Sequence, residues 1–147
     1  MTRFTFVGET MKRSILGVAL PLALTICLGV SLASAEDDSQ CTDATIKGSY
    51  GTLLTGTIVG FGPIGQVGVA TYDGGGHWSR TEMTNANGNT FGPETIAGTY
   101  IVNADCTGST KDEQGHASTF VIVNHGKEIL VLVTDQGVVL TVDQKRQ

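Results

Sequence analysis

Gly98-Thr99-Tyr100-Ile101-Val102-Asn103-Ala104-Asp105-Cys106-Thr107-Gly108 is the stretch on which the fold turns. Its first half alternates side chains as a strand does, its middle is a short polar turn, and a cysteine then opens the next strand. The chain before it runs from one cysteine, Cys41, to the other, Cys106, and the chain after it is a series of hairpins.

Working outward, β-prone runs alternate with turn residues, and no segment keeps a helical apolar period over three turns. Residues 46–54 form the first strand candidate, and the glycine-rich 55–65 with Pro63 reads as a loop or irregular edge. Residues 66–72 alternate cleanly. Asp73-Gly74-Gly75-Gly76 then turns the chain, because glycine takes positive φ without a Cβ clash. Strand 77–84 returns, 85–89 turns through an Asn-Gly step, and the connection runs on to Pro93 before strand 94–103. Strands 107–112, 116–123, 127–134 and 138–143 complete the series, and Gln144-Lys145-Arg146-Gln147 reads as a solvated tail. About eight strands joined by tight turns predict an all-β antiparallel meander. With no helix to cover an open sheet, closure into an up-and-down barrel removes both edges. A two-sheet sandwich is the rival arrangement.

The N-terminus bears on compartment. Met11-Lys12-Arg13 is a short basic start, residues 15–32 are apolar, and Ala33-Ser34-Ala35 precedes acidic Glu36-Asp37-Asp38. This is the pattern of a cleavable secretory signal over 11–35, cut after Ala35, with 1–10 as an upstream misassigned start. Pro21 and Gly29 interrupt the apolar run, which argues against a retained membrane anchor. The expected product, 36–147, is a secreted or periplasmic single domain long enough to bury roughly 65% of its unfolded surface. Removing the leader leaves six basic and thirteen acidic side chains, a net charge of −7 (six minus thirteen). Such a surface repels phosphate backbones, so nucleic acid is not an expected partner. Cys27 leaves with the leader, and the remaining Cys41 and Cys106 in an oxidising compartment predict one structural disulfide.

Gly48-Ser49-Tyr50-Gly51, Tyr72-Asp73-Gly74-Gly75-Gly76, Gly98-Thr99-Tyr100, Asp105-Cys106-Thr107-Gly108 and Gly126-Lys127-Glu128-Ile129 occur in that order. In this the chain resembles a group of small secreted bacterial proteins of unknown function. The resemblance implies a calycin-type barrel similar to that of allene oxide cyclase. It carries over no catalytic residue, because no set matching that cyclase is legible here.

Candidate chemistry is sparse. His77, His116 and His125 lie at strand starts or in a turn without His-x-His or His-x₃-His spacing, so no metal is expected. No nucleophile elbow, phosphate loop or dinucleotide fingerprint is present, and no cofactor is expected. Strand 77–84 is the unusual one: one face offers Trp78, Arg80, Glu82 and Thr84, the other His77, Ser79, Thr81 and Met83. With the second face inward, Arg80 and Glu82 form a solvated pair and Trp78 is a surface residue, which is the more ordinary arrangement. With the first face inward, a paired Arg and Glu line the interior beside the sole tryptophan. Glu82 and Glu94 flank one connection and could approach each other. Tyr50, Tyr72 and Tyr100 read as core residues whose hydroxyls reach backbone partners. The functional expectation is a binding barrel for a small, mostly apolar ligand, with Trp78, Arg80, Glu82 and Tyr100 as candidate contacts. A cyclase-type enzyme and a filled barrel acting through its surface are the alternatives. Apolar residues on both faces of 121–123 and 129–133 add an expectation of self-association.

Overall fold

The computed structural model describes residues 40–147, so the start region 1–10 and the leader 11–35 lie outside the described residues. The described chain is an eight-stranded antiparallel up-and-down barrel: β1 Gly48–Ile58, β2 Gly62–Tyr72, β3 His77–Ala86, β4 Asn89–Val102, β5 Thr107–Asp112, β6 Ala117–Val123, β7 Glu128–Val133 and β8 Val138–Arg146. Each strand pairs with its chain neighbours, and β8 closes on β1 from Tyr50 opposite Arg146 to Ile58 opposite Val138. No edge is left to pair with another chain.

Two expectations about strand limits are corrected. Residues 55–65 are not a loop, since β1 runs through Ile58 and β2 begins at Gly62, with only three residues between them. Likewise β3 and β4 continue across the expected connection to Pro93. Asn87 and Gly88 both adopt positive φ (48° and 87°), which closes the hairpin in two residues with the twist that flanking strands need. The extra residue at Gly92-Pro93 is absorbed as a bulge, where the register shifts between Glu82 and Thr84.

The two ends of the barrel differ. At one end lie the turns between β2 and β3, β4 and β5, and β6 and β7, together with a short 3₁₀ turn, Asp43–Ile46. This end is closed. Cys41 is disulfide-bonded to Cys106, with Cα atoms 5.0 Å apart, and Ile46 is fully buried. The disulfide fits an extracellular or periplasmic location. Cys106 itself sits in the turn with φ 65°, ahead of β5, where the Asp105 carboxylate accepts from the Thr107 amide and hydroxyl. Those two donors hold Asp105 below the usual carboxylate range, the hydroxyl first.

Three tyrosines form the floor. Tyr50 meets Tyr72 edge-on at 5.6 Å between centroids, and Tyr72 meets Tyr100 likewise at 5.1 Å. The Tyr50 hydroxyl donates to the Gly126 carbonyl at 2.6 Å, and the Tyr100 hydroxyl donates to the Asp43 carbonyl at 3.0 Å. The C-terminal tail is not solvated as expected. Gln144 is buried and accepts from the Tyr72 hydroxyl at 2.9 Å. Arg146 donates to the carbonyls of Thr45, Lys47 and Gly126 and to the Tyr50 hydroxyl. Its planar fork ties the Thr45–Lys47 segment to the turn at Gly126.

On the outer wall, Leu53, Val67 and Met83 lie opposite one another across β1, β2 and β3, and all three are exposed. Val121, Leu130 and Leu132 are exposed on β6 and β7.

Candidate functional site

Alternation along β3 decides the site. Trp78 and Glu82 are buried and Arg80 nearly so, while His77, Ser79, Thr81 and Met83 face outward. The ordinary solvated arrangement is therefore not the one adopted: the Trp78, Arg80 and Glu82 face points into the barrel. Two inward glycines account for it. Gly68 of β2 stands opposite Glu82, and a Cβ there would press on the Glu82 Cα and Cβ at 2.9 Å. Gly98 of β4 stands opposite Trp78, and a Cβ there would lie 2.9 Å from the indole Nε1. Glycine thus supplies the room that a large aromatic and a carboxylate take up on the strand between.

The interior holds a cavity of about 280 Å³. Its deep part is walled by Leu54, Ala70, Tyr72, Trp78, Leu140 and Val142. Its outer part is lined by Gln66, Glu94, Asp112, Gln114, His116 and Asp135, of which Glu94, Gln114 and His116 are exposed. The end away from the tyrosine floor is therefore open to solvent. The volume is nearly twice that of an apolar cavity able to hold benzene, and just under the common range for ligand pockets.

Arg80 and Glu82 meet as an ion pair, Nε to Oε2, with side chains only 14% and 6% exposed. The Arg80 guanidinium also lies 5.7 Å from the centre of the Trp78 ring, whose Nε1 donates to the Thr99 carbonyl at 3.2 Å. The pair and the indole thus brace one another at the cavity wall. Glu94 stands directly opposite Glu82 in the β3–β4 ladder, so both carboxylates flank the cavity from neighbouring strands. The Tyr72 hydroxyl at the cavity base is pushed up to about 12 by burial, against a smaller opposing effect of its hydrogen bond with Gln144.

Of the four candidate contacts, Trp78, Arg80 and Glu82 come together on the cavity and Tyr100 does not. Tyr100 belongs to the floor, where its hydroxyl accepts from the Gly74 amide at 3.0 Å besides donating to Asp43. The histidines separate as well. His77 lies at the closed end beside Asp73, His125 is exposed in a turn, and only His116 reaches the mouth. His116 Nδ1 is 2.7 Å from Asp135, whose carboxylate is held below its usual range by the Ala117 amide and then by His116. The mouth residues Asp112, Gln114 and Asp135 are not singled out by the sequence, because Asp112 reads locally as a strand end and Gln114 and Asp135 as turn residues. Asp112 does cap its own turn, accepting from the amides of Gln114 and His116. Only barrel closure shows that the two turns face one opening. Among the described residues, no group of three His, Cys, Asp or Glu side chains is placed to hold a metal ion.

No family model, curated protein or solved structure matches the chain.

Proposed function

We propose that the barrel binds a small, mostly apolar molecule in its interior. The observation that carries this reading is the cavity of about 280 Å³, open at one end and apolar in its depth. Burying an apolar body there removes it from water at roughly 25 cal/mol per Å² of apolar surface, with no loop to order first. A calycin-type, allene oxide cyclase-like kinship is part of the same proposal. It rests on the ordered motifs from Gly48 to Ile129 and on the eight-stranded closure. Export through the 11–35 leader completes it, and the Cys41–Cys106 bond suits that route.

The test uses the exported, oxidised protein and the fluorescence of Trp78, its sole tryptophan. Titration with octanol and with naphthalene is expected to change that emission saturably. Thr110→Phe puts a ring into the open space from a half-buried, cavity-lining position and is expected to abolish the response. Tyr100→Phe should leave it intact, since Tyr100 is off the cavity. Absence of any saturable response in the wild type removes the reading, and a response unchanged in Thr110→Phe moves the ligand elsewhere.

A further inference from the structure

The charges around the cavity are unevenly arranged. Five formally charged side chains line it: Arg80, Glu82, Glu94, Asp112 and Asp135. The one cation is already matched in charge, because Arg80 Nε lies against Glu82 Oε2 and both groups are largely withdrawn from water. Neither of these two atoms makes a hydrogen bond among the described residues. What remains is three carboxylates around the opening, Glu94, Asp112 and Asp135, with His116 beside Asp135. The mouth is therefore negative by three formal charges, or by two when His116 carries a proton. A low-dielectric wall focuses such a field into the opening instead of letting bulk water disperse it.

Hydrogen-bonding capacity leans the same way. Gln66 lines the cavity with its amide nitrogen donating to the Thr84 hydroxyl at 3.0 Å, while its carbonyl oxygen is buried without a donor. An acceptor left so costs free energy until a donor reaches it. The Glu94 carboxylate adds acceptor capacity at the exposed rim. An anionic head drawn to Arg80 would have to settle beside Glu82, with Glu94 facing it from the next strand, so like charges would crowd one site.

Resting on the reading of the cavity as a ligand site, we propose that its ligand is a small amphiphilic amine. The apolar body lies against Leu54, Tyr72, Trp78 and Leu140, and a protonated, donor-bearing head lies at the Gln66 and Glu94 side of the mouth. Carboxylates of the same shape are rejected by the acids of the mouth, Glu94, Asp112 and Asp135.

Octylamine, octanol and octanoate differ in head charge on alkyl chains of eight, eight and seven carbons, so their dissociation constants, read from Trp78 fluorescence at neutral pH and low salt, test the assignment. The missing methylene of octanoate accounts for only about fourfold of any gap. Octylamine is expected to bind at least tenfold more tightly than octanoate, with octanol between. Glu94→Gln, at an exposed rim position, should contract that gap about threefold, and high salt should contract it in the wild type. Octanoate binding as tightly as octylamine, with octanol also bound, overturns the amine assignment and leaves the cavity reading standing. An unaltered gap in both Glu94→Gln and high salt overturns the electrostatic selection. Failure of all three compounds to bind removes the cavity reading, and this proposal with it.

Discussion

Replacing either member of the Arg80–Glu82 pair should destabilise the barrel, and replacing both should not. Glu82 is 6% exposed and Arg80 is 14% exposed, so each relies on the other in place of water. Removing one partner of a buried pair costs about 3–5 kcal/mol, whereas exchanging both for apolar groups of similar volume is often neutral or stabilising. The two single variants should not cost the same. Glu82→Gln leaves Arg80 against the Trp78 face and beside an open cavity, where water and the ring quadrupole relieve it, for a loss near 2 kcal/mol. Arg80→Met leaves the more deeply buried Glu82 carboxylate facing Glu94, for a loss nearer 4 kcal/mol.

The double variant Arg80→Met/Glu82→Leu should fall within about 1 kcal/mol of the wild type, giving a coupling of several kcal/mol. Urea unfolding of the oxidised protein measures this. With a slope of about 1.5 kcal/mol per molar, Arg80→Met lowers the midpoint by roughly 2.5 M and the double variant barely moves it. Single variants within 0.5 kcal/mol of the wild type, with no coupling, would show that water in the cavity solvates both charges. The low-dielectric wall invoked for ligand selection would then be wrong.

Three other perturbations probe the closed end. Arg146→Ala removes donors from three carbonyls and the Tyr50 hydroxyl and is expected to cost roughly 2 kcal/mol in urea unfolding; Arg146→Lys should recover little, because an ammonium cannot span that fork. Replacing Cys41 and Cys106 by Ser frees a loop with a sequence separation of 65 and should cost about 4 kcal/mol in the chain-entropy model, seen as a lower urea midpoint with the barrel's circular dichroism retained. The Tyr72 phenol, raised to about 12 against 10.0, keeps its proton in the fold after the unfolded chain has lost it. Its contribution is therefore intact below pH 10 and is lost as pH rises from 10 toward 12, by about 3 kcal/mol, and Tyr72→Phe should flatten that alkaline decline in unfolding free energy.

Strand number, order and the disulfide were legible because each rests on local chemistry. Alternation marks strands, glycine and asparagine mark turns, and the two cysteines outside the expected leader have one way to pair. Strand length was less legible. Residues 55–65 are rich in glycine, and a glycine run signals a loop unless a facing strand needs the room. Gly56 is such a case, since a Cβ there would lie 2.9 Å from Leu140 of β8. The inward face of β3 was undecidable for a related reason. Its two faces differ little in hydropathy, and the choice depends on Gly68 and Gly98, which lie on other strands. Arg146 was misread because a charged residue near a chain end has no local signature of the three carbonyls it will find. The mouth was invisible until the turns after β5 and β7 came together.

The barrel wall also differs in height around its circumference, and this bears on entry. β1, β2 and β4 have 11, 11 and 14 residues, whereas β5, β6 and β7 have 6, 7 and 6. At about 3.4 Å per residue, the tall hairpins rise well beyond the short strands. Their tips carry the exposed apolar side chains Val59, Phe61 and Phe91. The low side of the rim carries Gln114, His116 and Asp135. If the barrel binds as proposed, a molecule entering over the low wall passes acidic groups before it reaches Trp78 and Tyr72. The tall wall carries Glu94 on β4 and the low wall carries Asp112 and Asp135, so acids face the opening from both sides. On the proposed binding reading, discrimination belongs to the rim and affinity to the depth. Substitutions at Glu94 or Asp135 should reorder ligands of equal size, and substitutions at Leu54 or Leu140 should weaken all of them alike.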